Sequence, residues 1–134
     1  MYLLDTNIIS ETRRLRPHGA VLAWLKSVNN SDLHVSAVSA GEIQSGIELT
    51  RPRDPAKSAE LEAWLSEILE GFTVLPMDAQ TFRVWAKLKL GRSTTLYEDA
   101  MIAATAIVHR LTVVTRNTRD FAAFQVDTLN PFMA

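Results

Sequence analysis

Acidic side chains occur where predicted strands end. Asp5 directly follows a short apolar run, and Glu42 lies in the predicted first turn of the helix after the second strand. Asn117 and Asp120 come just after the fourth strand. Because ligands of an open parallel sheet bind at the carboxyl ends of its strands, we expect these side chains to converge on one edge.

Asp99 is a further candidate whose position the sequence periodicity leaves open. Two predicted helices separate the third and fourth strands, and Asp99 lies at the start of the second helix. Simple alternation of upward and downward elements does not bring that point to the same edge. The loop between the two helices could carry the chain back, since about six extended residues span roughly 20 Å.

Each of these acids also has a purely structural interpretation. Ser39 and Glu42 fit a capping box, in which Glu42 would bond only the cap amide. Asp99 in the first turn of a helix is favoured by the macrodipole, and Asp120 could cap a short turn. Asp5 is harder to explain in this way, because a carboxylate at the end of a buried strand is desolvated without compensation. Capping alone does not explain why acids fall at corresponding strand ends.

Carboxylates without cysteine or paired histidine favour a hard divalent cation. The chain has no cysteine, and none of its three histidines has ligand spacing to another. Mg²⁺ or Mn²⁺ is therefore favoured over Zn²⁺. Such a cation activates a bound water and polarises a phosphoryl oxygen, which is the chemistry of phosphodiester hydrolysis. The hydroxyls of Thr6, Ser39 and Thr115 are placed to orient the carboxylates by hydrogen bonds.

The elements that position these residues alternate between short apolar strands and longer helices, which is the pattern of a parallel sheet covered on both faces. We predict strands at residues 2–4, 33–36, 72–75, 111–114 and 126–129. We predict helices at about residues 6–14, 21–28, 39–50, 56–70, 78–90 and 97–110. No repeat or linker interrupts the pattern, so the sequence predicts one α/β domain over residues 1–134.

Composition agrees with a globular protein that is not basic overall. The 134 residues are 47% hydrophobic and 22% charged, with a net charge of −1. Basic residues outnumber acids between 83 and 119, which predicts either a local basic face or ordinary solvated helix surface. No secretory signal and no window of about 20 apolar residues is present, so we expect a cytoplasmic protein without a membrane span.

Four segments together resemble PIN-domain proteins, and above all the VapC/FitB-like toxins of bacterial type II toxin–antitoxin pairs. The segments are DTNIIS at 5–10, residues 36–42 with Gly46, DAMIAATA at 99–106 and VTRNTRDF at 114–121. They occur in the family's order and spacing over essentially the whole chain.

The resemblance implies a five-stranded parallel sheet of order 3-2-1-4-5, with Asp99 at the same edge as the other acids. It implies Asp5 and Asp99 as the principal Mg²⁺ ligands, directly or through water, with Mn²⁺ able to substitute. Glu42 and Asp120 would complete the catalytic pocket, with Asn117 beside them. Many relatives carry Asp at the position of Asn117, so the departure favours a one-metal mechanism.

The resemblance further implies an endoribonuclease in which metal-activated water attacks the RNA phosphodiester. Arg116 and Arg119 would flank the pocket and contact phosphates, or instead form salt bridges. The implied partners are the RNA substrate, a second copy of the chain and a cognate antitoxin whose C-terminal segment covers the active-site groove, in a dimer or a larger assembly. Trp24 and Trp64 lie on amphipathic helices and are either anchors for such a segment or core residues.

Other functions compete with this interpretation. A free-standing PIN-domain RNA-processing nuclease would share the site, whereas a PIN-like module that binds RNA or a partner without cutting would not need all the acids. A phospho-receiver domain could use Asp78 as phosphoacceptor, but Asp5 lacks an adjacent acid and no Lys follows the last strands. A dinucleotide enzyme is disfavoured because no Gly-x-Gly-x-x-Gly follows the first strand. Nothing in the sequence names the RNA that is cut.

Overall fold

A parallel sheet of five short strands lies at the centre of the computed structural model, which describes residues 1–133. The strands follow the order β3-β2-β1-β4-β5, and every neighbouring pair is parallel. The predicted α/β class and the sheet order 3-2-1-4-5 are thus confirmed. The strands are β1 (Tyr2–Leu4), β2 (Leu33–Ser36), β3 (Thr73–Leu75), β4 (Thr112–Val114) and β5 (Thr128–Leu129).

Helices cover both faces of the sheet. Short 3₁₀ turns precede β2 and the sixth helix. Within residues 1–133 the α-helices are α1 (Thr6–Glu11), α2 (Gly19–Ser27), α3 (Ala37–Thr50), α4 (Pro55–Gly71), α5 (Ala79–Leu88), α6 (Tyr97–His109) and α7 (Thr118–Ala122).

Two hydrophobic cores follow from the alternation of side chains along each strand. Leu3 and Val113 point to the face covered by α6, whose Ala103 and Ala106 are almost fully buried. Leu4 and Val114 point to the opposite face, against α1 and α2. Burial on both sides explains why consecutive residues are apolar in β1 and β4, at Leu3-Leu4 and Val113-Val114, rather than alternating with polar ones.

The first helix ends three residues earlier than predicted. Thr12 closes it, because its Oγ1 donates to the carbonyl of Ile9 at 2.7 Å. The carboxylate of buried Glu11 then accepts a hydrogen bond from the backbone N–H of His18 at 2.8 Å. These contacts turn the chain through residues 12–18, which form an exposed basic loop.

The path of the chain between β3 and α6 explains the position of Asp99. Asp78, at the start of α5, lies close enough to His109 at the end of α6 for that residue to contribute to lowering the pKa of Asp78. Near the other end of the pair, Trp85 Nε1 donates to the carbonyl of Tyr97 at 3.1 Å. The two helices therefore pack antiparallel, and the return across the sheet occurs in residues 76–78 rather than in the loop between α5 and α6.

Candidate active site

Asp5 lies at the carboxyl end of the central strand and is 4% exposed. Its carboxylate accepts hydrogen bonds from the backbone N–H of Thr6 at 2.8 Å, from Asn7 Nδ2 at 3.1 Å and from Thr115 Oγ1 at 2.8 Å. Burial raises the pKa of Asp5, while the bonds from Thr115, Thr6 and Asn7 oppose that rise. The carboxylate is held in one orientation by three donors.

Two of these donors also join the loops that form the pocket. Thr115 is fully buried, and its hydroxyl accepts from the backbone N–H of Asn117 at 2.9 Å. Asn7 Oδ1 accepts from the backbone N–H of Arg116 at 3.2 Å, so it connects the segment after β1 with the segment after β4. Asn7 was not among the site residues predicted from the sequence, although it stands two residues after Asp5 in the Asp-Thr-Asn run.

The capping-box interpretation of Glu42 is wrong. α3 begins at Ala37, and Ser36 caps it by accepting from the backbone N–H of Val38 at 3.1 Å. Ser39 is therefore already inside the helix, and Glu42 lies in its second turn rather than its first. The buried Ser39 hydroxyl is hydrogen-bonded to Thr6 Oγ1 at 2.8 Å, so it supports Thr6 and not a carboxylate directly.

Glu42 is half-buried among other acids. Burial raises its pKa to about 7, and the negative charges of Glu98, Asp5 and Asp99 contribute, while a hydrogen bond from Thr6 opposes the rise. A carboxyl with this pKa exchanges its proton near neutral pH, which suits proton transfer.

Asp99 lies in the first turn of α6 and is also half-buried. Burial raises its pKa to about 6, with further contributions from Asp5, Asp120 and Glu98. A carboxylate that served only the helix dipole would have its charged form stabilised and its pKa lowered. Because the pKa of Asp99 is raised instead, desolvation and like charges outweigh the helix dipole at this residue.

Asp120 and Asn117 lie at the same edge, beyond β4. Asn117 occupies the cap position of α7 but makes no side-chain capping bond, and Asp120 lies in the first turn, so Asp120 does not cap this helix. Both are exposed. The negative charge of Asp120 contributes to the raised pKa of Asp99.

Glu98 is an acid of the pocket that the sequence analysis missed. It is exposed, yet its charge raises the pKa of both Glu42 and Asp99. The available signal was the Glu98-Asp99 pair at a helix start, which the macrodipole explains equally well.

The two arginines next to the pocket are exposed and form no ion pair within residues 1–133. The guanidinium of Arg116 lies 4.2 Å from the centre of the Phe132 ring. Arg119 lies on α7. The structure thus lends no support to the salt-bridge alternative, and their contact with RNA stays a prediction.

Asp78, the phosphoacceptor of the rival phospho-receiver hypothesis, is a helix cap. Its Oδ1 accepts from the backbone N–H of Thr81 at 2.9 Å and from Thr81 Oγ1 at 2.8 Å. These bonds lower its pKa. Asp78 contributes nothing to the pKa shifts of the pocket acids.

The donor set of the pocket fits a hard divalent cation. Asp5, Glu42 and Asp99 supply carboxylate oxygens, and no Lys or Arg among residues 1–133 forms a salt bridge with them. In the same part of the chain no three acids or histidines already converge as a metal cage. Mg²⁺ is commonly held by one or two carboxylates together with waters, so two of these carboxylates suffice to hold it.

The pH dependence of stability tests whether the pKa values of Glu42 and Asp99 are raised in the folded protein. Glu42 and Asp99, with raised pKa values, take up protons in the folded state before they do so in the unfolded chain. We therefore expect the free energy of unfolding in EDTA to rise by about 1–2 kcal/mol, after discounting for solvent screening, as the pH falls from 8 to 5.5. Thermal or urea unfolding measures the change.

The control compares two glutamates. Glu42→Gln should flatten this pH dependence, whereas Glu67→Gln, an exposed position on α4, should keep it. A wild-type stability that stays constant or declines as the pH falls over this range would show that burial and like charges do not raise the pKa values of these acids.

Fold and site together define the class of the protein: an α/β protein whose parallel sheet, of order 3-2-1-4-5, carries a pocket of carboxylates at its carboxyl edge. The family model of the PIN domain matches residues 2–126. The chain belongs to the PIN domain family, and within it to the VapC/FitB toxins of toxin–antitoxin systems.

Curated relatives and solved structures agree. The chain is 37% identical to toxin FitB of Neisseria gonorrhoeae, over 98% of this chain and 99% of the relative. It is 33% identical to VapC ribonuclease Y4jK of Sinorhizobium fredii, over 98% of each chain. The crystal structure of FitAcB from Neisseria gonorrhoeae has a TM-score of 0.88 and 36% identity, and the match covers 100% of both chains.

Proposed function

We propose that residues 1–134 form one nuclease domain that cuts RNA internally by hydrolysing phosphodiester bonds, with Mg²⁺ or Mn²⁺ in the acidic pocket. One observation carries the proposal: buried Asp5 and half-buried Glu42 and Asp99 lie at one sheet edge, and no basic side chain among residues 1–133 pairs with them. Burial raises the pKa of each, and like charges raise the pKa values of Glu42 and Asp99 further. Like charges kept together at such an energetic disadvantage indicate a site for a cation. The printed names of VapC ribonuclease relatives support the choice of RNA.

Asp5 and Asp99 would hold the cation, directly or through water. When bound, a divalent cation supplies an activated water and polarises a phosphoryl oxygen. The donors from Thr6, Asn7 and Thr115 keep the Asp5 carboxylate in a fixed orientation, as the hydrogen-bonding partners of metal ligands do.

The other residues of the pocket would act on protons and on the substrate. Glu42 is suited to accept a proton at its carboxylate from the attacking water, with the hydroxyl of Thr6 beside it. Asp120 and Asn117 would complete the rim. Arg116 and Arg119 would bind RNA phosphates through their exposed guanidinium groups.

We also propose that a cognate antitoxin neutralises this toxin, and that the toxin forms a homodimer, alone or within a larger toxin–antitoxin assembly. Support comes from the FitAB structure bound to an IR36 DNA fragment, which has a TM-score of 0.86 and 35% identity to this chain. No helix within residues 1–133 is both long and apolar enough to span a membrane. Action on cellular RNA would place the protein in the cytoplasm.

Metal-dependent cleavage of RNA is the direct test of this function. The purified chain should cut a mixed-sequence single-stranded RNA in Mg²⁺ or Mn²⁺ and stop cutting when EDTA is added in excess. Gel analysis of an end-labelled RNA measures both the rate and the internal position of the cuts. Full activity in EDTA, or activity with Zn²⁺ alone, would contradict the proposal.

A further inference from the structure

A groove opens beside the acidic pocket, between α1, α3 and α4. Its first part is a cleft of about 320 Å³, with Thr6 and Glu42 at the inner end and Leu61 and Trp64 further out. A second hollow of about 220 Å³ shares Arg13, Leu61 and Trp64 with it. The groove therefore begins at an acid of the pocket and continues past the indole of Trp64.

Trp64 presents a fixed aromatic surface in this groove. The residue is half-buried, and its Nε1 donates to Thr12 Oγ1 at 3.1 Å, which sets the orientation of the ring. The guanidinium of Arg13 lies 5.9 Å from the ring centre. Aromatic rings and guanidinium groups are the side chains on which proteins stack the bases of single-stranded RNA. Here the exposed guanidinium lies over the ring, so a stacking base would take its place there.

The charges around the outer groove are not all balanced. Arg14 pairs with Glu11 at 3.5 Å, and Lys57 pairs with Glu60 at 3.5 Å. Arg13 is exposed and has no carboxylate partner within residues 1–133. The groove thus combines an apolar wall with one uncompensated positive charge, next to a pocket of negative charge.

We propose that this groove binds a nucleotide neighbouring the scissile phosphate, with its base stacked on Trp64 and its phosphate against Arg13. The proposal rests on the proposed ribonuclease function, because an RNA strand whose phosphate enters the acidic pocket must leave across the adjoining surface. Continuity with Glu42 and the complementarity of Arg13 to phosphate favour RNA over a protein segment in this position. Trp64 and Arg13 are therefore binding residues that help select single-stranded substrate.

Binding of an uncleavable RNA tests the groove without relying on activity. The probe is a fluorescein-labelled 2′-O-methyl dodecamer of mixed sequence, kept in EDTA so that no cation can activate the attacking water, and the readout is its anisotropy. Trp64→Leu should raise Kd about tenfold, whereas Trp64→Phe should stay within about threefold of wild type. Both variants lose the bond to Thr12, so their difference isolates aromatic stacking from a structural effect.

The salt dependence of the same binding tests Arg13. Arg13→Gln should reduce the slope of log Kd against log salt concentration by about 0.7, the value for one phosphate contact on a single strand. Arg110→Gln is the matched control at the end of α6, on the opposite edge of the sheet, and should leave the slope unchanged.

Cleavage kinetics separate this proposal from the proposed function. On a cleavable RNA of the same sequence, Trp64→Leu should raise KM about tenfold with little change in kcat. Equal affinities of the Leu and Phe variants, or an unchanged slope for Arg13→Gln, would overturn the groove proposal and assign this surface to a protein partner. If the variants differ from wild type in binding as expected but the wild type never cuts RNA, the nuclease function would be overturned. The proposal that the groove binds RNA would then still stand.

Discussion

Asp99→Asn should lower the rate of RNA cleavage more than about 100-fold while the protein stays folded. Loss of a hydrogen-bonding partner of a metal ligand already lowers metal affinity or activity by about 10–100-fold, and removal of the ligand charge itself should exceed that. Asn has the shape of Asp, and within residues 1–133 the Asp99 carboxylate forms no salt bridge and no hydrogen bond that would lower its pKa, so the substitution breaks neither. The effect therefore reports the charge.

The same substitution should make the metal-free protein more stable. The pKa of Asp99 is raised to about 6 in the folded state. At pH 7 the carboxylate is therefore ionised at a greater energetic cost in the folded state than in the unfolded chain. Its neutralisation should raise the free energy of unfolding by about 1 kcal/mol, once solvent screening is allowed for, or Tm by about 3–5 °C. Asp127→Asn, at an exposed position at the opposite edge of the sheet, is the control and should change neither cleavage nor stability appreciably.

A variant that loses activity by unfolding would show a lower Tm and an altered circular dichroism spectrum. An Asp99→Asn protein that cuts RNA at a rate close to that of wild type would exclude Asp99 from the metal site. It would then be an ordinary residue of a helix start.

Mn²⁺ should stabilise the folded protein in the absence of RNA. A ligand that binds only the folded state adds about 2.7 kcal/mol at 100 times its Kd. For a chain of this length the corresponding rise in Tm is about 10 °C. Because the cation also relieves the repulsion that involves Glu42 and Asp99, the gain should be larger at pH 8 than at pH 5.5, where Glu42 and Asp99 are mostly protonated.

The strands and the edge that carries the site were predictable from the sequence. Residues 33–36 form β2 as predicted, because a short segment that alternates apolar and polar residues after a turn is typical of a strand. The position of Asp5 followed from that logic, since it comes directly after the central strand. The order of the strands, by contrast, came from the family resemblance, as apolar runs carry no information about their neighbours.

The start of α3 was mispredicted for a physical reason. Ser36 is at once the last residue of β2 and the cap of α3, so no loop separates the two elements. Ser39 is also a suitable capping residue, so the sequence pattern predicts that the helix begins there. That error also misassigned Glu42, whose location in the second turn brings it to the acids instead of to a cap amide.

The position of Asp99 depends on the path of the chain rather than on periodicity. The chain could cross back over the sheet in residues 76–78 or in the loop after α5. The hydrophobic patterns of α5 and α6 would be the same in both cases. Only the packing of α5 against α6 decides it, through contacts such as that of Trp85 with Tyr97. Glu98 was missed for a related reason, since its influence on Glu42 acts between elements distant in sequence.

Thermal unfolding of wild type and Asp99→Asn in EDTA and in Mn²⁺, near pH 7 and without RNA, tests the shared acidic pocket most directly. The pocket predicts that Asp99→Asn melts higher than wild type in EDTA, and that Mn²⁺ raises Tm by about 10 °C in wild type but much less in the variant. If Asp99→Asn instead melts lower in EDTA and gains as much from Mn²⁺ as wild type does, the acids do not share a metal-binding pocket.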